Sequence, residues 1–133
     1  MSIALCHGCF DVLHVGHLHH LQEARKFGCK TLVVSITSAK FIKKPGRPIF
    51  TDEERAAMLR ALDIVDEVYV SKEETGAQAI YRFKPRFYVK GVDYIGVPMN
   101  AKEVVACAKT GAKIVFTKTK KYSSTEVIKR MRK

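Results

Sequence analysis

A chain of 133 residues with 47% hydrophobic content is long enough for one domain around one core and does not need a second. Its 24 Lys+Arg against 13 Asp+Glu leave a formal net charge of +11, which directs attention to anionic ligands such as nucleotides, phosphorylated metabolites or nucleic acid. No apolar run approaches the length of a membrane span, and the first residues lack a basic segment followed by an apolar one, so a cytoplasmic protein is expected rather than a membrane or secreted one.

The first strand is expected near residues 2–7, and it runs into Gly8-Cys9-Phe10-Asp11-Val12-Leu13-His14-Val15-Gly16-His17, where a helix near 16–27 begins. Two histidines around a glycine at a strand-to-helix turn can meet a phosphate lying against free backbone N–H groups. A second strand near 31–36 leads into an irregular segment, 37–50, that holds Lys40, Lys43, Lys44, Pro45, Gly46, Arg47 and Pro48 and reads as a lid. A helix near 52–62 opens with the capping box Thr51/Glu54. Strands near 65–70, 86–90 and 113–117 alternate with helices near 75–83, 101–109 and 124–131, the last capped by Ser123/Glu126. This alternation specifies an α/β fold, a Rossmann-like parallel five-stranded sheet flanked by helices, in one domain over residues 1–133.

Cys6, Cys9, Cys29 and Cys107 do not read as a disulfide framework. Cys6 and Cys9 form a CxxC, but only four residues separate it from the His14/His17 pair, against a dozen or so in zinc modules, and Cys6 belongs inside a strand as an inert apolar residue. No metal ligands are assigned to the protein. The C-terminal Lys129, Arg130, Arg132 and Lys133 are a solvated helix end matched to the helix dipole, so nucleic acid is not the expected partner. In an open parallel sheet, ligands bind beyond the carboxyl ends of the strands, and the polar clusters at His14/His17, Lys43/Lys44/Arg47, Lys90–Tyr94 and Tyr122–Thr125 all follow strands.

On these residues the chain resembles the HxGH nucleotidyltransferase superfamily, which includes glycerol-3-phosphate cytidylyltransferases and the adenylyltransferase domain of ADP-heptose synthases. The carrying segments are Gly8-Cys9-Phe10-Asp11, His14-Val15-Gly16-His17, Gly46-Arg47-Pro48-Ile49 with Glu54-Arg55, Val65-Asp66, Lys90-Gly91-Val92-Asp93-Tyr94 and Ser123-Ser124-Thr125. The likeness is greatest to the heptose and sugar-phosphate branch. It implies that an acceptor phosphate oxygen attacks the α-phosphorus of a nucleoside triphosphate and that pyrophosphate leaves, with AMP transfer from ATP to a sugar phosphate such as heptose 1-phosphate as the first reading. CTP-dependent transfer to glycerol 3-phosphate or another polyol phosphate, FMN adenylylation, and a non-catalytic basic nucleotide- or RNA-binding module are the alternatives.

The resemblance implies that His14 and His17 stabilise charge on the phosphates and that Lys44 neutralises the triphosphate. Gly8, Cys9, Phe10, Gly16, Lys43, Gly91, Asp93, Tyr94, Ser123, Ser124 and Thr125 are the implied nucleotide contacts. Gly8 would admit the nucleotide to the first strand and Gly16 a tight turn. Asp11, Arg55 and His7 are candidates for the acceptor; Asp11 equally suits ordering its own turn, and the lesser alternative for Arg55 is pairing with a helical carboxylate such as Glu54 or Asp52. Magnesium would be bound mainly through the triphosphate, and relatives imply a homodimer. The chain departs from the pattern at His7, at Val92 and in lacking an RTxGIS-like segment before the serines, which counts against glycerol 3-phosphate.

Overall fold

The computed structural model describes residues 2–118, with 129 and 131. Lys129 and Met131, within the expected final helix, are helical; the rest of that helix and the Ser123/Glu126 box lie outside the described residues. Five strands, β1 (Ile3–Gly8), β2 (Thr31–Thr37), β3 (Glu67–Ser71), β4 (Phe87–Lys90) and β5 (Lys113–Phe116), form one sheet in the order β3-β2-β1-β4-β5. Among the described residues every pairing is parallel. Helices α1 (Val15–Arg25), α2 (Asp52–Arg60), α3 (Ala77–Phe83) and α4 (Ala101–Thr110) cover it. Among the described residues no helix is long and apolar enough to cross a membrane.

Parallel strands covered on both faces need apolar side chains on both, and β1 and β2 supply them as near-continuous runs. Successive side chains point to opposite faces, so alternate residues feed two cores. Ala4, Cys6, Val34, Ile36 and Val89 pack with Leu21 and Ala24 of α1 and Ala56 and Leu59 of α2. Leu5, Val33 and Tyr88 pack with Ala79 and Ile80 of α3 and Ala106 and Cys107 of α4. Burial pushes the Cys6 thiol up to about 12, which leaves it an inert core residue as expected. Burial likewise pushes the Cys107 thiol up.

Helix ends follow local chemistry. Thr51 and Glu54 form the expected reciprocal box at the start of α2, and Asn100 accepts from the N–H groups of Lys102 and Glu103 at the start of α4. Gly111, with φ +81°, closes α4 in the left-handed conformation that glycine adopts without strain. The chain builds β1, β2 and β3 outward in one direction, then returns to β1's other side for β4 and β5. The order therefore reverses between β1 and β4, and a crevice opens beyond their carboxyl ends.

Candidate active site

A cavity of about 600 Å³ occupies that crevice. His14, the N-cap of α1, accepts from the Gly16 N–H through Nδ1 (3.1 Å), and the His14 N–H donates to His17 Nδ1 (3.2 Å). The two histidines thus cap the helix reciprocally, as a Ser/Glu box would. An Nδ1 that accepts carries no proton, so the proton of each neutral ring sits on Nε2. Both rings line the cavity with their centroids 4.0 Å apart, and the Phe10 ring lies 5.3 Å from His17. Phe10 (φ +49°) and Val12 (φ +54°) hold the preceding turn in the left-handed region, a conformation costing about 1–2 kcal/mol per residue.

Gly8, Cys9, Phe10, Gly16, Lys44, Gly91 and Tyr94 all line the cavity. A Cβ on Gly8 would also meet the Phe10 ring at 3.1 Å, so its smallness serves that packing too. The expectation for Gly16 is corrected. Gly16 lies inside α1 and is not among the left-handed glycines, so it makes no tight turn. Lys43, expected on the nucleotide, is exposed and pairs with Glu74 at 3.4 Å, leaving the wall to Lys44. Asp93 lies in the short 3-10 turn Val92–Tyr94. Ser123, Ser124 and Thr125 fall outside the described residues.

Of the three acceptor candidates, Asp11 and His7 line the cavity, and Arg55, which does not, is corrected. Arg55 is buried: its guanidinium donates to the carbonyls of Cys9 (2.9 Å), Thr37 (2.7 Å) and Phe50 (3.3 Å) and to Asp52, the pairing that was its alternative. It ties α2 to the ends of β1 and β2. Asp11 is buried and takes Arg47 Nε (2.7 Å), the Ile49 N–H (2.7 Å) and the Phe50 N–H (3.0 Å), so it orders a distant segment and not its own turn. Burial pushes its carboxyl up, but the hydrogen bonds from Ile49 and Phe50 and the Arg47 charge outweigh that and hold it below the usual range. His7 reaches the wall with both nitrogens engaged, Nδ1 with Ser35 Oγ (2.9 Å) and Nε2 with the Glu74 carbonyl (2.8 Å) and Thr37 Oγ1 (3.2 Å). Burial lowers its pKa. A ring so placed positions the wall and does not offer a nitrogen to an acceptor.

The expected lid is anchored at both ends. Asp52 accepts from Ser38 Oγ (2.8 Å) and the Ala39 N–H (2.7 Å), and Asp11 holds residues 47–50. The hydrogen bonds from Ala39 and Ser38 and the charge of Arg55 hold the Asp52 carboxyl low against burial, which acts the other way.

Sequence reasoning passed over two residues on the wall. His20 shares the α1 face of His17 at a spacing of three, and its Nδ1 lies 2.8 Å from Thr117 Oγ1; the spacing alone would have flagged it. Glu103 of α4 accepts from the Gly76 N–H (2.8 Å) and Tyr88 OH (2.9 Å) and pairs with Lys90 Nζ (3.3 Å). A first-turn glutamate carries no local signal of that role.

Comparison with known proteins agrees with this geometry. The cytidylyltransferase-like family matches residues 5–130. The bifunctional protein HldE of Geotalea uraniireducens is 38% identical over 133 residues, which covers 98% of this chain and 27% of that protein. The HldE of Nitratiruptor sp. is 39% identical over 135 residues, 98% of this chain and 28% of that protein. The chain therefore spans about a quarter of the length of these curated relatives. The crystal structure of the lipopolysaccharide core biosynthesis protein from Thermoplasma volcanium is similar with a TM-score of 0.72 at 27% identity, covering 92% of this chain and 99% of that one. The bifunctional NMN adenylyltransferase/ADP ribose pyrophosphatase from Francisella tularensis shares the fold, with a TM-score of 0.63 at 16% identity over 97% of this chain and 41% of that one. A match that begins inside β1 and runs past β5 takes in every element walling the cavity, and on that ground the chain belongs to the cytidylyltransferase-like family.

Proposed function

We propose that this domain is a nucleotidyltransferase that moves a nucleoside monophosphate, AMP from ATP in the first instance, onto a sugar phosphate such as heptose 1-phosphate and releases pyrophosphate. The observation that carries this reading is the reciprocal capping of α1 by His14 and His17. Capping fixes each ring with Nδ1 toward the backbone, so Nε2 is the side of each ring that can donate to a phosphate at a helix N-terminus. One oxygen of the acceptor's phosphate attacks the α-phosphorus, and the bond from that phosphorus to the oxygen bridging to the β-phosphorus breaks. The electron pair leaves with pyrophosphate. The attacking oxygen is already ionised, so no base is required, and positioning with charge stabilisation does the catalysis. Lys44 on the wall supplies a further positive charge to the phosphates.

Magnesium fits this site as an ion carried in by the triphosphate. Asp11 is committed to Arg47, Ile49 and Phe50, the Glu103 charge is matched by the Lys90 ammonium, and the imidazoles present protons. Bound to the nucleotide, the ion would screen charge that develops on the phosphates.

The sugar-phosphate reading rests on the likeness to the HldE proteins. A pyrophosphate-release assay with ATP, CTP, GTP and UTP against heptose 1-phosphate, other sugar 1-phosphates, glycerol 3-phosphate and FMN tests it. Turnover with ATP and a sugar 1-phosphate, lost in His17→Ala, is expected. Turnover confined to CTP would move the domain to the cytidylyltransferase reading, and release that does not depend on His14 or His17 would overturn the mechanism.

A further inference from the structure

The cavity has two chemically different halves, set by the faces of the sheet. On the α1 face stand His14, His17 and His20. On the opposite face, β4 alternates Tyr88 into the α3/α4 core, Val89 into the α1/α2 core, and Lys90 back toward α4, where it meets Glu103.

The Lys90–Glu103 pair is nearly buried, with side chains 10% and 5% exposed, and both residues line the cavity. Its geometry is fixed from several sides. Glu103 Oε2 is taken by the Gly76 N–H and Tyr88 OH, and the Lys90 ammonium lies 4.1 Å from the centre of the Tyr94 ring and 5.4 Å from that of Tyr88. Burial, with the Glu103 charge second, holds the Tyr88 hydroxyl protonated far above the usual range, so it donates to Glu103. A Cβ at position 76 would stand 2.2 Å from Tyr88 Oη, so only glycine permits this approach.

Glu103 Oε1 accepts from Lys90 alone among the described residues and has a further lone pair, while the ammonium gives Glu103 one of its three protons. The pair therefore offers the cavity an acceptor beside a donor, at zero net charge. A phosphate would meet the carboxylate and be repelled. A hydroxyl can donate to the carboxylate while a neighbouring hydroxyl accepts from the ammonium, and the Tyr94 ring presents an apolar face to C–H groups. A buried ion pair adds little stability over apolar residues of the same volume, so stability alone does not account for charges on this wall.

We propose that Lys90 and Glu103 form a subsite for vicinal hydroxyls, and that it takes the sugar portion of the acceptor while the phosphates lie on the α1 half. This rests on the nucleotidyltransferase reading only for the name of the ligand. An in-line displacement brings the acceptor in opposite the departing pyrophosphate, which suits a cavity divided in this way.

The test is calorimetric binding of heptose 1-phosphate, glycerol 3-phosphate and α,β-methylene-ATP to the wild type, Glu103→Gln and Lys90→Met, with folding followed by circular dichroism. Both variants should weaken heptose 1-phosphate by about 10- to 100-fold. Both should leave α,β-methylene-ATP within about twofold, while glycerol 3-phosphate, whose two free hydroxyls are also vicinal, should weaken together with heptose 1-phosphate. A loss confined to α,β-methylene-ATP would make the pair a base contact and overturn the proposal. Equal loss of all three ligands would make it structural, and unchanged heptose 1-phosphate affinity, or none in the wild type, would also overturn it. Binding does not require turnover, so an inactive wild type that still bound heptose 1-phosphate through this pair would sink the enzymatic reading and leave the subsite standing.

Discussion

Replacing Asp11 with asparagine isolates what one buried carboxylate contributes to the shape of the site. Oδ2 accepts from Arg47 Nε and the Ile49 N–H, both at 2.7 Å, and Oδ1 accepts from the Phe50 N–H at 3.0 Å. An asparagine whose carbonyl oxygen takes the Oδ2 position turns its NH2 toward the Phe50 N–H, so two donors face each other out of water. It also removes the negative charge beside an Arg47 side chain only 11% exposed. One lost bond with a stranded donor costs about 1–3 kcal/mol, and a broken buried pair about 3–5 kcal/mol. The terms overlap, and a net loss of about 3–5 kcal/mol is expected. For a domain of this size that lowers Tm by about 10–20 °C. The native carboxyl sits below its unfolded value, so its contribution is complete above the unfolded pKa and disappears as pH falls through the native one. The gap between wild type and Asp11→Asn in differential scanning calorimetry should therefore be full at neutral pH and narrow below about pH 4. A gap of under about 2 °C at pH 7, or one that widens on acidification, would refute the account of Asp11 as an anchor.

Three other outcomes follow from the packing. Arg55→Lys keeps the charge but cannot reach Cys9, Thr37, Phe50 and Asp52 together, so chemical denaturation should show a loss of about 3 kcal/mol with the m-value unchanged. Gly76→Ala places a methyl against the Tyr88 hydroxyl, and a thermal melt should report a destabilisation of about 1–3 kcal/mol. Cys6, with its thiol pushed up to about 12 at the centre of β1, should resist iodoacetamide at pH 8 in the native protein and react once urea unfolds it, as peptide mass mapping would show.

The strands were legible because burial on both sheet faces demands unbroken apolar runs, which β1 and β2 display. Boundaries moved where tertiary register intervened. The third strand was expected from 65, yet pairing begins at Val33↔Glu67, while Asp66 turns its carboxylate onto the Leu32 N–H and Arg25. His14 and His17 were legible because their spacing is local to one strand-to-helix turn. The roles of Asp11 and Glu103, and the long-range half of Arg55's, were not, because those partners lie 13 to 46 residues away and only the crossover connections bring them together, whereas the pairing of Arg55 with Asp52, three residues off, was legible. An arginine beside a capping box and a carboxylate beside a histidine motif look like ligand contacts in a sequence, yet here both hold backbone.

The same capping geometry separates folding from catalysis at position 14. Histidine is not among the preferred N-cap residues, whereas asparagine is among the best, and an asparagine oxygen accepts a helix N–H much as Nδ1 does. What asparagine lacks is the far side of the ring. Imidazole accepts at Nδ1 and donates at Nε2 from one rigid plane, so a single residue can close the helix end and still serve a phosphate. His14→Asn should therefore leave the melting temperature within a few degrees of wild type, equivalent to less than about 1 kcal/mol. It should lower kcat for pyrophosphate release by about 10²- to 10³-fold, the loss seen when one donor to a developing oxyanion is removed. An equally stable, fully active His14→Asn would mean that this imidazole only caps α1, and the case for phosphate chemistry would then fall to His17 and Lys44. A variant that unfolds instead would mean that the helix end depends on the stacked pair of rings, 4.0 Å apart, as much as on the hydrogen bond.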